Sequence, residues 1–367
     1  MIKVPTVLVL GAGASVPFGF PSGQRLVDII AYYLRNTGCI TTNRTFYPGM
    51  METSFEEYIN EIVKILKIKF QEEKIISFAE HLIGEESIDA FLEHQTDEFL
   101  QIGKAAIAAT LLPFETKDAL DFSFMIKRLE SSSPDPFKSE KRNVIENNWY
   151  QVLWQALNAS FEKFQDNKIH IITFNYDRSL EQYLYTQLKR RYPDKNDKEY
   201  ASKICPIVHI HGSLGPLPWQ LDSDESKQKA VPYEAMMKKS HGPETAHIIK
   251  DQKSKWLDIA REKITVIHES QEDTDELKQA REWILHSCKR LYFLGFGYHP
   301  TNIERLKIKS NCNVNMEVRG TAYHLSITRR QYMQELFSNI GLWRIEKNYN
   351  LPDMDIYTFL HDCVSLE

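Results

Sequence analysis

Residues 6–15 read Thr-Val-Leu-Val-Leu-Gly-Ala-Gly-Ala-Ser, and the fold class follows from them. Thr6–Leu10 is a short apolar, β-branched run of the kind shown by a strand buried on both faces. Gly11-Ala12-Gly13-Ala14-Ser15 then breaks it sharply. After Phe20-Pro21-Ser22-Gly23 comes QRLVDIIAYYLRN, which sets Leu26, Ile29, Ile30, Tyr33 and Leu34 at helical spacing, with Ser22 as its N-cap. The unit is strand, glycine turn, helix.

Outward from that unit the pattern changes and then returns. Residues 36–165 carry apolar side chains three and four apart, in FEEYINEIVKILKIKF and in SIDAFLEHQTDEFLQIGKAAIAATLLPFE, with Ile88, Phe91, Leu92, Ile107 and Leu111 as examples. A Ser/Pro loop is predicted at 131–136, and a helix over 147–164 holds Trp149, Leu153, Trp154 and Leu157. We read 36–165 as a helical insertion in an α/β domain made of 1–35 and 166–367. It either caps one sheet face or forms an oligomer interface that also lids a site. Strands are predicted at 169–174, 207–211, 264–267, 291–294, 322–327 and 343–346. Helices are predicted over SLEQYLYTQLKRR, 277–288 and 330–340, and a polar surface excursion over 221–254. Such alternation implies an α/β fold with a mostly parallel sheet covered on both faces.

Composition narrows the class. Hydrophobic residues at 42% exclude global disorder, and a net charge of 45 − 50 = −5 leaves no basic footprint, so no direct sequence-specific nucleic-acid binding is expected. Cys39, Cys205, Cys288, Cys312 and Cys363 are scattered without a Cys-x-x-Cys pair, which argues against a disulfide framework and a thiolate zinc site; no metal is expected. No apolar run is long enough to span a bilayer, and residues 7–10 are too short for a signal-peptide core. The expectation is a soluble cytoplasmic protein without membrane contact.

In an open α/β sheet, ligands bind beyond the carboxyl ends of the strands. Four predicted strands end in unusual turns there. Gly11 and Gly13 permit a tight turn, and a following helix would offer free N–H groups to a pyrophosphate, although the third glycine of the usual fingerprint is absent. Asn175 could hold a water or ribose hydroxyl and Asp177 could accept from a ligand; equally, Asp177 could cap the next helix while Asn175 shapes the turn. His211, before Gly212-Ser213, could act as a general base, whereas His209 reads as structural; alternation would put both on one side of their strand. Gly295-Phe296-Gly297-Tyr298 would admit a ligand to the backbone, or simply turn the chain.

Taken in order, GAGAS, FNYD, HIHGS and FLGFGY resemble the motifs of the sirtuin superfamily. In that family a Gly-Ala-Gly turn binds NAD, a Gln-Asn-Ile-Asp motif and a His-Gly motif carry catalysis, and a late Gly-x-Ser-type turn, matched here only loosely by Gly295, contacts the cofactor. Phe174 and Tyr176 replace two residues of the second motif. GFPSG, residues 19–23, only echoes the family's Gly-Ile-Pro-Asp-Phe-Arg loop, and the four-cysteine zinc ribbon of the deacylases has no counterpart. The insertion, with SIDAFL, Gly103-Lys104 and LLPFE, looks like the bacterial sirtuin-like NADases of antiphage defence.

The resemblance implies a Rossmann-like three-layer fold and NAD⁺ as substrate. It implies Asn175 and His211 as catalytic residues. It implies NAD⁺ contacts from Gly11, Ala12, Gly13, Ala14, Ser15, Phe20, Pro21, Asp177, Gly212, Gly295, Phe296, Gly297 and Tyr298. It further implies a homo-oligomer, with a HerA-type ATPase or a short Argonaute as partner, that depletes NAD⁺ on infection. The expected activity is hydrolysis of the nicotinamide–ribose bond to nicotinamide and ADP-ribose. The rivals are protein deacylation or ADP-ribosyl transfer, and a non-catalytic NAD- or ADP-ribose-binding sensor that drives oligomerisation.

Overall fold

The computed structural model describes residues 1–35, 63–67, 69–120, 148–237, 243–266, 274–308, 316–339 and 351–366. Among the described residues the centre is a five-stranded, wholly parallel sheet in the order β3-β2-β1-β4-β5. The strands are β1 Thr6–Leu10, β2 Ile169–Thr173, β3 Ile207–His209, β4 Arg290–Leu294 and β5 Glu317–Gly320. β1 runs up the middle, with Thr6 level with Ile169 on one side and Arg290 on the other. All its residues are buried, as an apolar run between two helical layers requires.

Alternation along β1 feeds two cores. Leu8 and Leu10 join Ile169, Ile171, Tyr292 and Leu294 on one face. Val7 and Val9 join Ile172, Val208, Leu291, Phe293 and Val318 on the other. Covering the first face are α1 Gly23–Arg35, α2 Glu72–Leu82, α3 Ile88–Leu92, α4 Asp97–Leu111, α5 Trp149–Ala156, α6 Ser179–Arg191 and α7 Pro243–Lys263. The second face is covered by α8 Asp275–Ser287, α9 Pro300–Arg305 and α10 Ile327–Asn339, through Trp283, Ile303, Met333 and Phe337. This is an α/β Rossmann-like three-layer fold. The chain crosses the sheet between β3 and β4, so strand order reverses at the β1/β4 boundary, where such folds open a crevice.

Several local expectations are corrected. Of the predicted strand at 264–267, the described residues 264–266 contribute an isolated antiparallel bridge, Ile264 to Gly212, and the Thr265 amide donates to the His211 carbonyl outside the sheet. The predicted strand at 322–327 is displaced to Glu317–Gly320, whose Glu317 and Arg319 hide an edge strand behind charge; the Ala322 amide donates instead to Pro352. The helix expected over 147–164 stops at Ala156. Asn167 Nδ2 caps the exit by donating to the Leu157 and Phe164 carbonyls, at 3.0 and 2.8 Å. The polar excursion at 221–254 is in part core: Val231, Ala235 and Met236 are buried, and α7 packs on α4. The predicted loop at 131–136 and strand at 343–346 lie outside the described residues.

The inserted segment is helical where it is described, and it does not build a core of its own. Phe78, Leu92, Ile107 and Leu153 belong to the same continuous cluster as Leu8 and Ile171. Glu115 from this segment pairs with Arg178 at the start of α6, both almost fully buried. Arg178 Nε lies 3.0 Å from Glu115 Oε1, and Nη1 donates to the Gly215 and Val231 carbonyls at 2.9 and 2.6 Å. Among the described residues no helix is long and apolar enough to cross a membrane.

Candidate functional site

The turn after β1 is shaped by contact with the turn after β4. Gly11 N–H donates to Leu294 O at 3.1 Å, and Gly13 N–H to Gly295 O at 2.9 Å. A Cβ on Gly11 would stand 2.6 Å from Gly295 O, and one on Gly295, whose φ is +58°, 2.2 Å from Ala14 N. The glycines therefore let two backbones meet. No long helix follows directly: residues 12–14 and 16–18 form 3₁₀ turns before α1 begins at Gly23. The amides of Gly11, Gly13, Ala14 and Ser15 are committed to backbone carbonyls, and α1, the helix whose free N–H groups were expected to follow the turn, begins only at Gly23.

What this turn offers is the Ser15 side chain. Its Oγ donates to Asp177 Oδ2 at 2.7 Å and accepts from Asn175 Nδ2 at 3.0 Å. Asn175 Nδ2 also donates to Gly11 O at 2.9 Å. A carbonyl only accepts, so the amide nitrogen must face Gly11 and Oδ1 is left as the acceptor for a guest. Asp177 also accepts from the Ser179 amide at 3.1 Å and from the Ser179 hydroxyl, so it caps α6 and ties that helix to the first turn. Burial pushes the Asp177 carboxyl above its usual range, against the lowering effect of these hydrogen bonds.

Ala12, Ser15, Phe20, Pro21, Asn175 and Asp177 line one cavity at the carboxyl ends of β1 and β2. Its other walls are Leu26, Leu111, Phe174 and Tyr176, together with Ser87, Ile88 and Asp89 from the inserted segment. A mostly apolar wall with a few convergent polar groups is the usual make-up of a small-molecule site.

His211 is buried beside this cavity, not in its wall. Its ring lies 5.5 Å from Phe174 and 6.1 Å from Tyr176, centroid to centroid, and both of those line the cavity. Phe174 also contacts Phe296, whose ring edge lies against Gly11, so the imidazole, the glycine turn and the β4 turn share one aromatic junction. Burial holds His211 below the ordinary histidine range; Asp89 and Glu93 oppose this and Arg305 adds to it. β3 ends at His209, and the turn that follows breaks the alternation expected to pair the two imidazoles.

The remaining expected residues separate. Gly212, with φ of +67°, would place a Cβ 1.9 Å from Lys263 O, so packing on the end of α7 accounts for it. Phe296 is core, Gly297 is exposed with open space around it, and Tyr298 is fully buried with its hydroxyl donating to Thr321 O at 3.1 Å. Ala14 is buried, and its carbonyl accepts from Trp149 Nε1 at 2.8 Å. Sequence reasoning did not single out Asp89, Tyr176 or Arg305 for roles. Tyr176 donates its hydroxyl to Asp89, and Arg305 acts electrostatically on both Tyr176 and His211. The signal for Asp89 was the Ser-Ile-Asp opening of α3, where Ser87 Oγ accepts from the Asp89 amide at 3.2 Å as N-cap. Among the described residues no group of three or more His, Cys, Asp or Glu side chains could hold a metal ion. Compared with protein-family models and with curated proteins, the chain matches none.

Proposed function

We propose that this chain hydrolyses NAD⁺ at the nicotinamide–ribose bond, releasing nicotinamide and ADP-ribose. The observation that carries this reading is the convergence of Ser15, Asn175 and Asp177 on one cavity that adjoins the buried, neutral-favouring imidazole of His211. Phe20, Pro21 and Phe174 give the cavity apolar wall for the nicotinamide ring. Asn175 Oδ1, its amide oriented by Gly11 and Ser15, accepts a hydrogen bond from a ribose hydroxyl or from the attacking water.

As the C–N bond breaks, its electron pair goes to the pyridine nitrogen, so nicotinamide leaves neutral and needs no acid. The ribose takes on oxocarbenium character, and the Asp89 carboxylate in the cavity wall favours that positive charge electrostatically. Water forms the new C–O bond and gives its proton to His211, whose imidazole must first turn from beside Phe174 and Tyr176 into the cavity. Because the turn amides are committed, the diphosphate needs another cation. We assign that role to Arg305, which lies outside the cavity wall, with Glu93 at 3.7 Å and Nη1 donating to Asn302 Oδ1 at 3.2 Å. By its resemblance to defence NADases, we further propose that the chain acts in the cytoplasm as an oligomer with an ATPase or Argonaute partner, depleting NAD⁺ on infection.

The test is NAD⁺ consumption and product analysis for the wild type, Asn175→Ala and His211→Ala. Each variant should lose about a hundredfold or more in rate. Wild-type turnover in both would remove these residues from the reaction. Strict dependence on an acyl-peptide would replace hydrolysis by deacylation, and NAD⁺ binding without turnover, partner present, would make the chain a sensor.

A further inference from the structure

Behind Asn175, on the side away from its amide, lies a second histidine that the proposed reaction does not use. His209 is 13% exposed and Glu181 7% exposed. His209 Nδ1 stands 2.8 Å from the Asn175 backbone carbonyl, and Nε2 stands 2.5 Å from Glu181 Oε1. A carbonyl oxygen only accepts, so Nδ1 must carry a proton. The short contact on the other nitrogen shares a second proton with the carboxylate. The pair therefore carries one proton more than a neutral imidazole beside an ionised glutamate.

We propose that Glu181 and His209 form a positioning dyad that clamps the Asn175 carbonyl and thereby aims the Asn175 amide into the cavity. Three anchors then fix this residue: its amide nitrogen on Gly11 and Ser15, its own N–H on Thr173 Oγ1 at 3.1 Å, and its carbonyl on His209. The inference rests on the NAD⁺ reading for what Asn175 does, and not for how it is held. A second cavity reaches the dyad from outside, lined by Glu181, His209, Cys205, Ser213, Trp219 and Gln220, so solvent protons have a route to it. Removal of the second proton would turn a bare Nε2 lone pair toward the Glu181 carboxylate, or a bare Nδ1 toward the carbonyl, and either loosens the clamp. The charged and titratable groups that face His209 are Glu181, Asp177, Arg178 and Cys205, and the carboxylates favour its protonated form.

Two readouts on the full chain decide it. The first is steady-state NAD⁺ turnover across neutral to alkaline pH for the wild type, His209→Ala, His209→Gln and Glu181→Gln. His209→Ala should lower kcat about tenfold to a hundredfold with KM within about twofold, and His209→Gln, which can still donate to the carbonyl, should recover part of it. Glu181→Gln should move the alkaline fall of kcat to lower pH. The second readout is hydrogen exchange at residues 174–178. It should accelerate in His209→Ala but not at the turn after β4.

If the wild type turns over no NAD⁺, the reaction reading fails and the exchange measurement alone judges the clamp. Wild-type exchange at 174–178 in His209→Ala overturns the dyad. Should that variant fail to fold, Glu181→Gln decides, since it keeps the size and an acceptor: an unmoved pH profile with unmoved exchange overturns it.

Discussion

Asn175 and His211 are read differently once their partners are known. Asn175 must donate to the Gly11 carbonyl, so Asn175→Asp, identical in shape, sets a carboxylate oxygen against a carbonyl oxygen. We expect that variant to be as inactive as Asn175→Ala and to lose about 1–3 kcal/mol of stability, measured by denaturant unfolding. The two histidines shift in opposite directions. Burial dominates at His211 and lowers it; at His209 burial is outweighed by Glu181, so it is raised. The base needs neutral His211, and the clamp needs protonated His209. The kcat/KM of NAD⁺ hydrolysis should therefore be bell-shaped, with the acid limb below the ordinary histidine pKa and the alkaline limb above it. The stability signs match. His209 contributes fully below its unfolded pKa and loses that contribution as pH rises through its folded one. The His211 contribution is complete above its unfolded pKa and fades as pH falls through its folded one. A profile with one limb missing would release the corresponding histidine from its role.

The turns and helices around the cavity act as units. The turn after β1 is wedged between the turn after β4 and α5, whose Trp149 donates to Ala14 O and whose Tyr150 stacks on Phe18 at 3.6 Å. Gly295→Ala would force a Cβ to within 2.2 Å of Ala14 N at a φ of +58°, and both turns must move. A loss of about 2–3 kcal/mol or more is expected in chemical unfolding, with weakened NAD⁺ binding because Ser15 moves with the turn. Trp149→Phe keeps most of the packing and removes only the donor. It should cost about 1–2 kcal/mol and leave NAD⁺ turnover within a few-fold of wild type.

Across the whole molecule, the inserted helices are the missing half of one sheet face. The Arg178–Glu115 pair joins the two parts, with Glu115 fully buried. Glu115→Ala would leave a guanidinium without its carboxylate in the core and should cost about 3–5 kcal/mol. Because the core is continuous, that variant should still unfold in a single urea transition at a lower midpoint; two separate transitions would show an autonomous inserted domain.

Periodicity made the central strands and most helices legible. Residues 7–10 and 291–294 are apolar on both sides, and 169–173 is so but for His170 and Thr173; a strand between two layers buries such a run. The edge strand Glu317–Gly320 escaped because charge interrupts its pattern. Residue types at strand ends pointed to Asn175, Asp177 and His211, since polar groups just past an apolar strand stand out against it. Whether Gly11 and Gly13 faced a ligand or another backbone could not be read from them, because a Cβ is excluded equally by either. Nor could sequence place Asp89 against Tyr176 or His209 against the Asn175 carbonyl, pairs that lie 87 and 34 residues apart. Local sequence thus determined which segments must be buried and which residues carry chemistry. The tertiary structure alone decided which of those residues meet, because contacts between distant segments depend on how the layers close and not on local spacing.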